Sequence, residues 1–532
     1  MNYVQGTGKS RGIRTAFVLA VIALAVAGTA SPAQAQVQES VLYSFPSGTN
    51  CETSPCEPGS PAGLVAQGRD GNLYGYSHTG GTNKKCTPAS GCGTIYETST
   101  APGNTPTVIW SFASRDECQL GLTLGTDGYF YGACQIGGQY GDGYVFQFIP
   151  NGTGPGTLNT LYSFCSLSNC SDGANPSSRP IEGRDGNFYG TTLIGGTESG
   201  SGYGTVYQIT STGTLTTLYS FTDDPNLSYP YGPMYLGSNG NLYGTTQAGT
   251  DDDPPFLSCP PSCGAIYEIT TAGELTVLYT FTGQPSDGAT PTRGVIQGTD
   301  GNFYGSTVQG GADNVGTLFK LTPGRGVRIS PSPLPPFDYS FTGTSGVYAY
   351  GIPRGLAQAS NGNFYLDGSG CADGSGSGCN AYGSVFEITP QGKFSYPDAY
   401  SFSGPPNDGA SPESTLSHTS GTLYGVTEEG GTDNDGALYS LNFNAPQFCR
   451  PQILAGQVGA TTEILGQGFN SSSVVKFGGV PATEVGVDDC QSGQSNCTFI
   501  AVTIPTGAKT GQVTVTTGST TLYSLQTFYV LP

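Results

Sequence analysis

Three short patterns each recur seven times between residues 43 and 441, and that repetition limits what the chain can fold into. The turn Asp-Gly-Asn-Leu/Phe-Tyr-Gly starts at Asp70, Asp185 and Asp300, with degenerate copies starting at Asp127, Asn239, Asn361 and Ser420. A Gly-small-aliphatic-aromatic run begins at Gly93, Gly143, Gly204, Gly264, Gly316, Gly383 and Gly436. An aromatic-Ser/Thr-Phe run begins at Tyr43, Trp110, Tyr162, Tyr219, Tyr279, Tyr339 and Tyr400. From Asp70 to Ser420 the turn repeats with a mean period of about 58 residues. A unit of this size gains stability by stacking its apolar faces on its neighbours.

Four strand-like stretches fit within one period, at 64–67, 72–77, 93–98 and 107–112 in the first copy. Asp-Gly between the first two is a tight hairpin turn, because glycine accepts the positive φ it requires. Thr212-Gly213 and Ala272-Gly273 do the same between the third and fourth. Composition agrees: glycine is roughly double its usual share and charged residues, at 11%, fall well below the usual one quarter. The expected fold is all-β, a seven-bladed β-propeller over residues 36–445. An open solenoid is the alternative, and the order of the markers speaks against it. An aromatic-Ser-Phe strand at 41–45 precedes the first complete unit, while the last unit stops after Leu441. A ring closed by that N-terminal strand, set beside the final blade, accounts for both and removes exposed edges.

On these markers the repeat resembles the Gly-rich tandem GloVer repeats of secreted bacterial proteins, over about residues 40–443. The resemblance implies repeat architecture and an extracellular location. It brings no catalytic residues with it.

The start of the chain reads as an export signal. Lys9, Arg11 and Arg14 precede an apolar run over 16–27, and Ala33-Gln34-Ala35 supplies a small-x-small cleavage pattern. The apolar run is shorter than the roughly 20 residues that cross a bilayer. Residues 1–35 are therefore expected to be a signal peptide, leaving a mature chain outside the cell or at its surface. Losing three basic groups moves the formal charge from −20 to −23. Such acidity opposes nucleic-acid binding and suits a soluble secreted surface.

Fifteen cysteines fit an oxidising compartment. They fall in close pairs: Cys51/Cys56, Cys86/Cys92, Cys165/Cys170, Cys259/Cys263, Cys371/Cys379 and Cys490/Cys497, with Cys118/Cys134 wider and Cys449 left over. Zinc would want converging pairs or histidines, and the chain has only His78 and His418. Disulfides are expected, each worth roughly 2 kcal/mol through the loop it closes.

Repetition ends near Asn444, where Pro446 and Pro451 mark a boundary. Residues 446–532 alternate as strands at 461–465, 473–477, 500–504, 512–516 and 526–530. Gly466-Gln467-Gly468-Phe469, Val474-Val475-Lys476-Phe477-Gly478-Gly479 and Val480-Pro481-Ala482 resemble an IPT/TIG domain, a small immunoglobulin-like sandwich. Pro505, Gly511-Gln512-Val513-Thr514-Val515 and Phe528 continue the likeness, while the insert at 488–496 departs from it. Such domains imply a spacer or interaction module on an extracellular protein.

In a propeller, the second-to-third connections and the links between blades emerge on one face. All six cysteine pairs of the repeat region fall there, with the long loop 251–261. Loops on a rigid scaffold usually carry binding, so this face is expected to hold the ligand, although staples also guard loops from proteolysis. His78 could act there as acid or base; a solvated loop histidine is the plainer reading. Asp251, Asp252 and Asp253, like Asp433-Asn434-Asp435, offer hard oxygens to calcium but lack the spacing of an established calcium loop. Tyr74, Tyr189, Tyr243 and Tyr304 recur at one strand position, which suits packing between blades better than sugar stacking. No catalytic, cofactor or metal residue is assigned and no cofactor is expected. The expected function is non-enzymatic binding or adhesion to an extracellular polysaccharide, glycan or surface protein. A secreted carbohydrate-active lyase or hydrolase working at the channel mouth is the alternative, and a surface-layer component a third.

Overall fold

The computed structural model describes residues 38–531 apart from 47–55, 83–91, 115, 153, 198–201, 248–258, 260–262, 313, 315, 323–338, 341–351, 360–361, 370–381, 391, 393–399, 413–416, 420–421, 443–446, 452–454, 468, 470, 490–497 and 518–519. The loop holding Asp251, Asp252 and Asp253 lies outside the described residues, as does the start of the chain before 38.

The described chain is all-β, without an α-helix. Antiparallel four-stranded meanders follow one another, each running from an inner strand to an outer one. Sheet 1 comprises Cys56–Gln67, Leu73–Gly81, Thr94–Thr98 and Thr107–Ser111, and sheet 2 Thr123–Leu124, Phe130–Cys134, Tyr144–Ile149 and Thr157–Ser163. Sheet 3 has a split inner strand, Ala174–Pro176 with Ile181–Glu182, then Phe188–Ile194, Thr205–Ile209 and Leu215–Ser220. Sheet 4 is Tyr235–Leu236, Leu242–Thr246, Ala265–Ile269 and Leu275–Thr280, and sheet 5 Val295–Gln297, Phe303–Thr307, Thr317–Leu321 and Tyr339–Ser340. Sheet 6 is Ile352–Gln358, Phe364–Ser369, Ser384–Ile388 and Tyr400–Ser401.

Sheet 7 contains Gly409–Pro412 and Ser417–Thr419, then Thr422–Gly430 and Ala437–Asn442, and takes its outer strand from the far end of the sequence. Gln38–Ser44 pairs antiparallel with Ala437–Asn442, setting Glu39 opposite Leu441 and Ser40 opposite Ser440. Each sheet packs against the next, and Thr422–Gly430 of sheet 7 packs on the inner strand of sheet 1. The tail forms two further sheets around a core that includes Ile464, Phe477, Ile500, Val513 and Phe528.

Packing explains why the markers recur. The last glycine of the turn motif lies opposite a third-strand aromatic: Gly75 faces Tyr96, Gly190 faces Tyr207, Gly244 faces Tyr267 and Gly425 faces Tyr439. A Cβ on any of these glycines would run into the facing ring. The preceding tyrosine points the other way and meets a phenylalanine of the next sheet, Tyr74 on Phe130 at 4.3 Å between centroids and Tyr243 on Phe303 at 4.0 Å. Tyr131 stacks on Phe188 at 3.7 Å and Tyr304 meets Phe364 at 4.3 Å. The hydroxyls of Tyr74, Tyr189 and Tyr304 each donate at 2.7 Å to the aspartate that opens their own turn. These tyrosines join sheets.

The Gly-small-aliphatic-aromatic marker makes a second joint. Gly204, Gly264, Gly383 and Gly436 have φ between +84° and +97°, and a Cβ there would stand 2.6–2.7 Å from Cδ of a proline in the next sheet. Those prolines are Pro230, Pro291, Pro412 and, across the closure, Pro61; Pro176 sits likewise on Gly143. The residue before each proline is left-handed: Ser60, Asn175, Tyr229, Thr290 and Ser411. Its N–H donates back to the preceding sheet, at Asp435 (3.1 Å), Asp142 (2.7 Å), Tyr203, Cys263 and Tyr382 (2.9 Å each). The proline supplies a flat apolar cap and the glycine leaves room for it. Strain of the left-handed residue is offset by the hydrogen bond its geometry allows.

The third marker supports that joint. Hydroxyls of Tyr162, Tyr279 and Tyr400 donate to the buried carboxylates of Asp172, Asp287 and Asp408 at 2.7, 2.9 and 2.6 Å. Each carboxylate also takes a backbone N–H, from Ser166, Thr282 and Ser403. The link between sheets is thereby held in the shape that presents the proline.

The joint is directly testable. Gly204→Ala should cost about 3 kcal/mol or more, since it adds a clash with Pro230 to a left-handed alanine. Gly186→Ala, also left-handed but with open space around its Cβ, should cost about 1 kcal/mol. Urea unfolding of the two variants beside the parent measures the difference.

Candidate functional site

The pattern changes between sheets 1 and 2. Between sheets 1 and 2 the proline position is held by Cys118, which is disulfide-bonded to Cys134 on the second strand of sheet 2. Glu117 before it keeps the left-handed backbone, with φ 49°, and its carbonyl accepts from Gln135 N–H at 3.1 Å, as those of Tyr229 and Thr290 accept from Gln247 and Val308. The acceptor position of the sister joints, before Gly93, is here Cys92, itself disulfide-bonded.

Larger polar side chains fill this joint. Asp116 occupies the place of Ala174, Ala289 and Ala410 in sister units, and is itself only 7% exposed. Tyr144 stands where the other third strands begin with Thr94, Thr205, Ala265, Thr317, Ser384 or Ala437. Tyr76 stands where other second strands carry Ala133, Thr191, Thr245, Ser306, Asp367 or Val426. Tyr144 donates to Asp116 Oδ2 at 2.8 Å, and Ser114 Oγ donates to Oδ1. Burial first, then the Asp116 carboxylate and the neighbouring Tyr76, push the Tyr144 hydroxyl well above its ordinary range, so it stays protonated.

His78 is half-buried at the rim of this cluster, its ring edge-on to Tyr76 at 5.4 Å between centroids. Gln119 donates to Gln135 beside it at 3.4 Å. Tyr140, on the connection after the second strand of sheet 2, is 47% exposed. The structure thus brings His78 together with Tyr76, Tyr144, Asp116 and the Cys118–Cys134 bond. Sequence reasoning missed Asp116, Tyr76 and Tyr144, because each is unremarkable alone. Their signal is that larger side chains stand where most aligned units keep a small one.

The other sequence-stated residues fall elsewhere. Cys165–Cys170 and Cys259–Cys263 are bonded, and Cys92 is disulfide-bonded. Cys51, Cys86, Cys371, Cys379, Cys490 and Cys497 lie outside the described residues, and Cys56 and Cys449 lie in strands. In the Asp433-Asn434-Asp435 turn, Asn434 Oδ1 accepts from Gly430 N–H and Asp435 Oδ1 from Ser60 Oγ, at 3.0 and 2.9 Å. That aspartate fastens sheet 7 to sheet 1. Among the described residues, the group with metal-like spacing is Asp142 with Cys165 and Cys170, whose sulfurs are bonded to each other and so are not thiolates.

The cluster offers hydroxyls, amides and aromatic edges. Such groups recognise polar, hydroxylated ligands.

Comparison with known proteins gives a family and no reaction. The sequence pattern described as the Gloeobacter/Verrucomicrobia repeat matches residues 60–257, 179–366 and 258–470, together most of the chain. No curated protein matches the chain. Among solved structures, an ulvan lyase from a polysaccharide lyase family is 11% identical, with TM-score 0.44, over 73% of this chain and 93% of that one. A glucose dehydrogenase is 11% identical, TM-score 0.34, over 76% and 99%. A protein of unknown function from Bacteroides thetaiotaomicron is 12% identical, TM-score 0.36, over 76% of each. Likeness at this level bears on neither substrate nor reaction.

Asp116→Ala should cost about 1–3 kcal/mol, because it strands the buried Tyr144 hydroxyl. Adding Tyr144→Phe should recover part of that loss. A double-mutant cycle by urea unfolding should show coupling of about 1 kcal/mol or more.

Proposed function

The chain belongs to the Gloeobacter/Verrucomicrobia repeat family, and from that premise we propose that it is an exported seven-bladed β-propeller that binds an extracellular glycan without transforming it. The ring is closed by the N-terminal strand, and an IPT/TIG-type sandwich at 446–532 serves as spacer or partner module. Binding occurs on the face that carries the links between sheets and the second-to-third connections. The contact centre is the joint of sheets 1 and 2.

The observation that carries this reading is the break in the repeat. Four described joints share one architecture of proline, glycine and back-donated hydrogen bond, and so does the closure. A feature repeated at those five contacts serves the fold. At the joint of sheets 1 and 2 the chain instead places Asp116, Tyr144, Tyr76 and His78, and Tyr140, on the connection between the second and third strands of sheet 2, is exposed. Exposed tyrosine gives a flat apolar face for the faces of sugar rings, while glutamine amides and the imidazole bond to hydroxyls. A disulfide fixes the connection that presents them.

A second reading rests on the same cluster. His78 beside phenolic hydroxyls is also a set from which a lyase or hydrolase could draw an acid and a base.

A glycan array followed by calorimetry on the hits separates the two. Tyr140→Ala and His78→Ala should each weaken binding about tenfold or more while leaving the unfolding temperature within about 2 °C of the parent. Binding unaffected by both substitutions would remove this joint from the account. Release of new reducing ends or of unsaturated products from the bound polymer would replace the binding reading with the enzymatic one.

A further inference from the structure

Glu39 occupies a place that the repeat reserves for an apolar side chain. It lies on the closing strand opposite Leu441, in the register that sets Leu215 opposite Ile209 and Leu275 opposite Ile269 in sheets 3 and 4. In those sheets the leucine joins the core shared with the preceding sheet, Leu215 the one that also takes Leu161 and Tyr162, Leu275 the one that also takes Leu218 and Tyr219. Glu39 is turned likewise onto sheet 6, where Tyr400 stands in the place of Tyr162 and Tyr219. The Oε1 atom is buried and has no hydrogen-bond partner among the described residues.

The groups around it are nearly all acids or phenols. Asp408, on the link from sheet 6 to sheet 7, faces it, and so does the Tyr400 hydroxyl from the outer strand of sheet 6. Tyr439 stands on the neighbouring strand of sheet 7, and Asp367 of sheet 6 faces Tyr439 in turn. No cation is among the groups acting on Glu39. Asp408 is well supplied with donors: Tyr400 at 2.6 Å, Ser403 N–H at 2.6 Å, Ser403 Oγ at 3.0 Å and Gly409 N–H at 2.7 Å. Among the described residues Glu39 Oε1 has no such set of donors, and the proton that relieves the crowding goes there.

Among the described residues, Gln38–Ser44 pairs as a strand with Ala437–Asn442, its Leu42 carbonyl accepts from Gly103 N–H of sheet 1 at 2.9 Å, and the Tyr43 hydroxyl donates to Glu57 at 2.9 Å. No covalent link joins the strand to the sheet except the whole length of the ring. Whatever weakens its seat opens the closure.

We propose that a proton on Glu39 latches the closing strand, so that Gln38–Ser44 is held firmly in mild acid and loosened at neutral pH. The direction follows from burial. Desolvation, then the Asp408 carboxylate, push the Glu39 carboxyl up to about 7 against an opposing Tyr400 hydrogen bond. A carboxyl raised in the closed state above its free value of 4.5 favours closure fully below that value. The advantage is lost progressively as pH rises from about 5 to about 7, and is gone above. Loosening would bare the edge of Ala437–Asn442, a site for strand addition.

Hydrogen exchange on the full chain at pH 5 to 8.5, corrected for the intrinsic pH dependence of exchange, tests the latch. Protection of the amides in Gln38–Ser44 should fall at least about fivefold between pH 5 and 7.5, with the steepest slope below tenfold per unit. Protection in sheet 4 should not follow it. Glu39→Leu, which restores the residue of the sister strands, should abolish the dependence and keep the strand protected throughout. Glu39→Gln provides the same test with an uncharged side chain of the same shape. Flat protection in the parent, or a slope that survives in both variants, would overturn the proposal.

Discussion

The rest of the repeat region depends on a proline ring resting on a glycine of the neighbouring sheet. That contact sets how near two sheets approach and at what angle. It requires a glycine with positive φ in one sheet, a left-handed residue before the proline in the other, and a link shaped to deliver both. Buried Asp172, Asp287 and Asp408 shape the link by gathering a tyrosine hydroxyl and backbone N–H groups. Each local choice serves the same contact, and this consistency across levels marks a sequence that specifies one structure. The tyrosine-on-phenylalanine contacts make a parallel set of joints elsewhere on the same interfaces. The same geometry recurs at the Pro61–Gly436 contact between sheet 1 and sheet 7.

The all-β class and the spacing of the units were legible in the sequence because the markers are short and local. Asp-Gly turns and alternating strands announce themselves within a few residues. The role of Tyr74 and its relatives as packing groups was legible too, since a residue present at one strand position in several units serves whatever the units share. The inner strands were harder. Sequence gave 64–67 in the first unit, whereas the strand runs Cys56–Gln67 with register shifts, through Pro58 and Pro61, which strand propensities disfavour. The Gly-Ala-x-Pro spacing recurs at 173–176, 288–291 and 409–412 as a fourth marker. Its meaning lies across an interface, where no local rule points.

The candidate site was legible only in part, for the same reason. His78 stood out because histidine is scarce in this chain. Asp116, Tyr144 and Tyr76 belong to three different strands or links, and only the packed joint puts them side by side. Glu39 is a similar case. A glutamate near an N-terminus reads as solvated, and its register opposite Leu441 is what reveals an acid in an apolar slot. In a repeat protein, function is best sought where an aligned unit breaks the rule that its siblings keep, since the shared features are already committed to the fold.

The central claim is that the chain is a ring whose last sheet is completed by its first strand. A cysteine pair at Ser40→Cys and Ser440→Cys, positions directly opposite in the closing register, tests it most directly. Under mild oxidation the pair should form a bond detectable in the non-reduced peptide map. It should also raise the unfolding temperature, because it closes a loop of nearly the whole repeat region, a constraint worth up to roughly 5 kcal/mol on chain-entropy grounds. Failure to form the bond in the folded protein, or a bond that leaves the unfolding temperature unchanged, would contradict the ring.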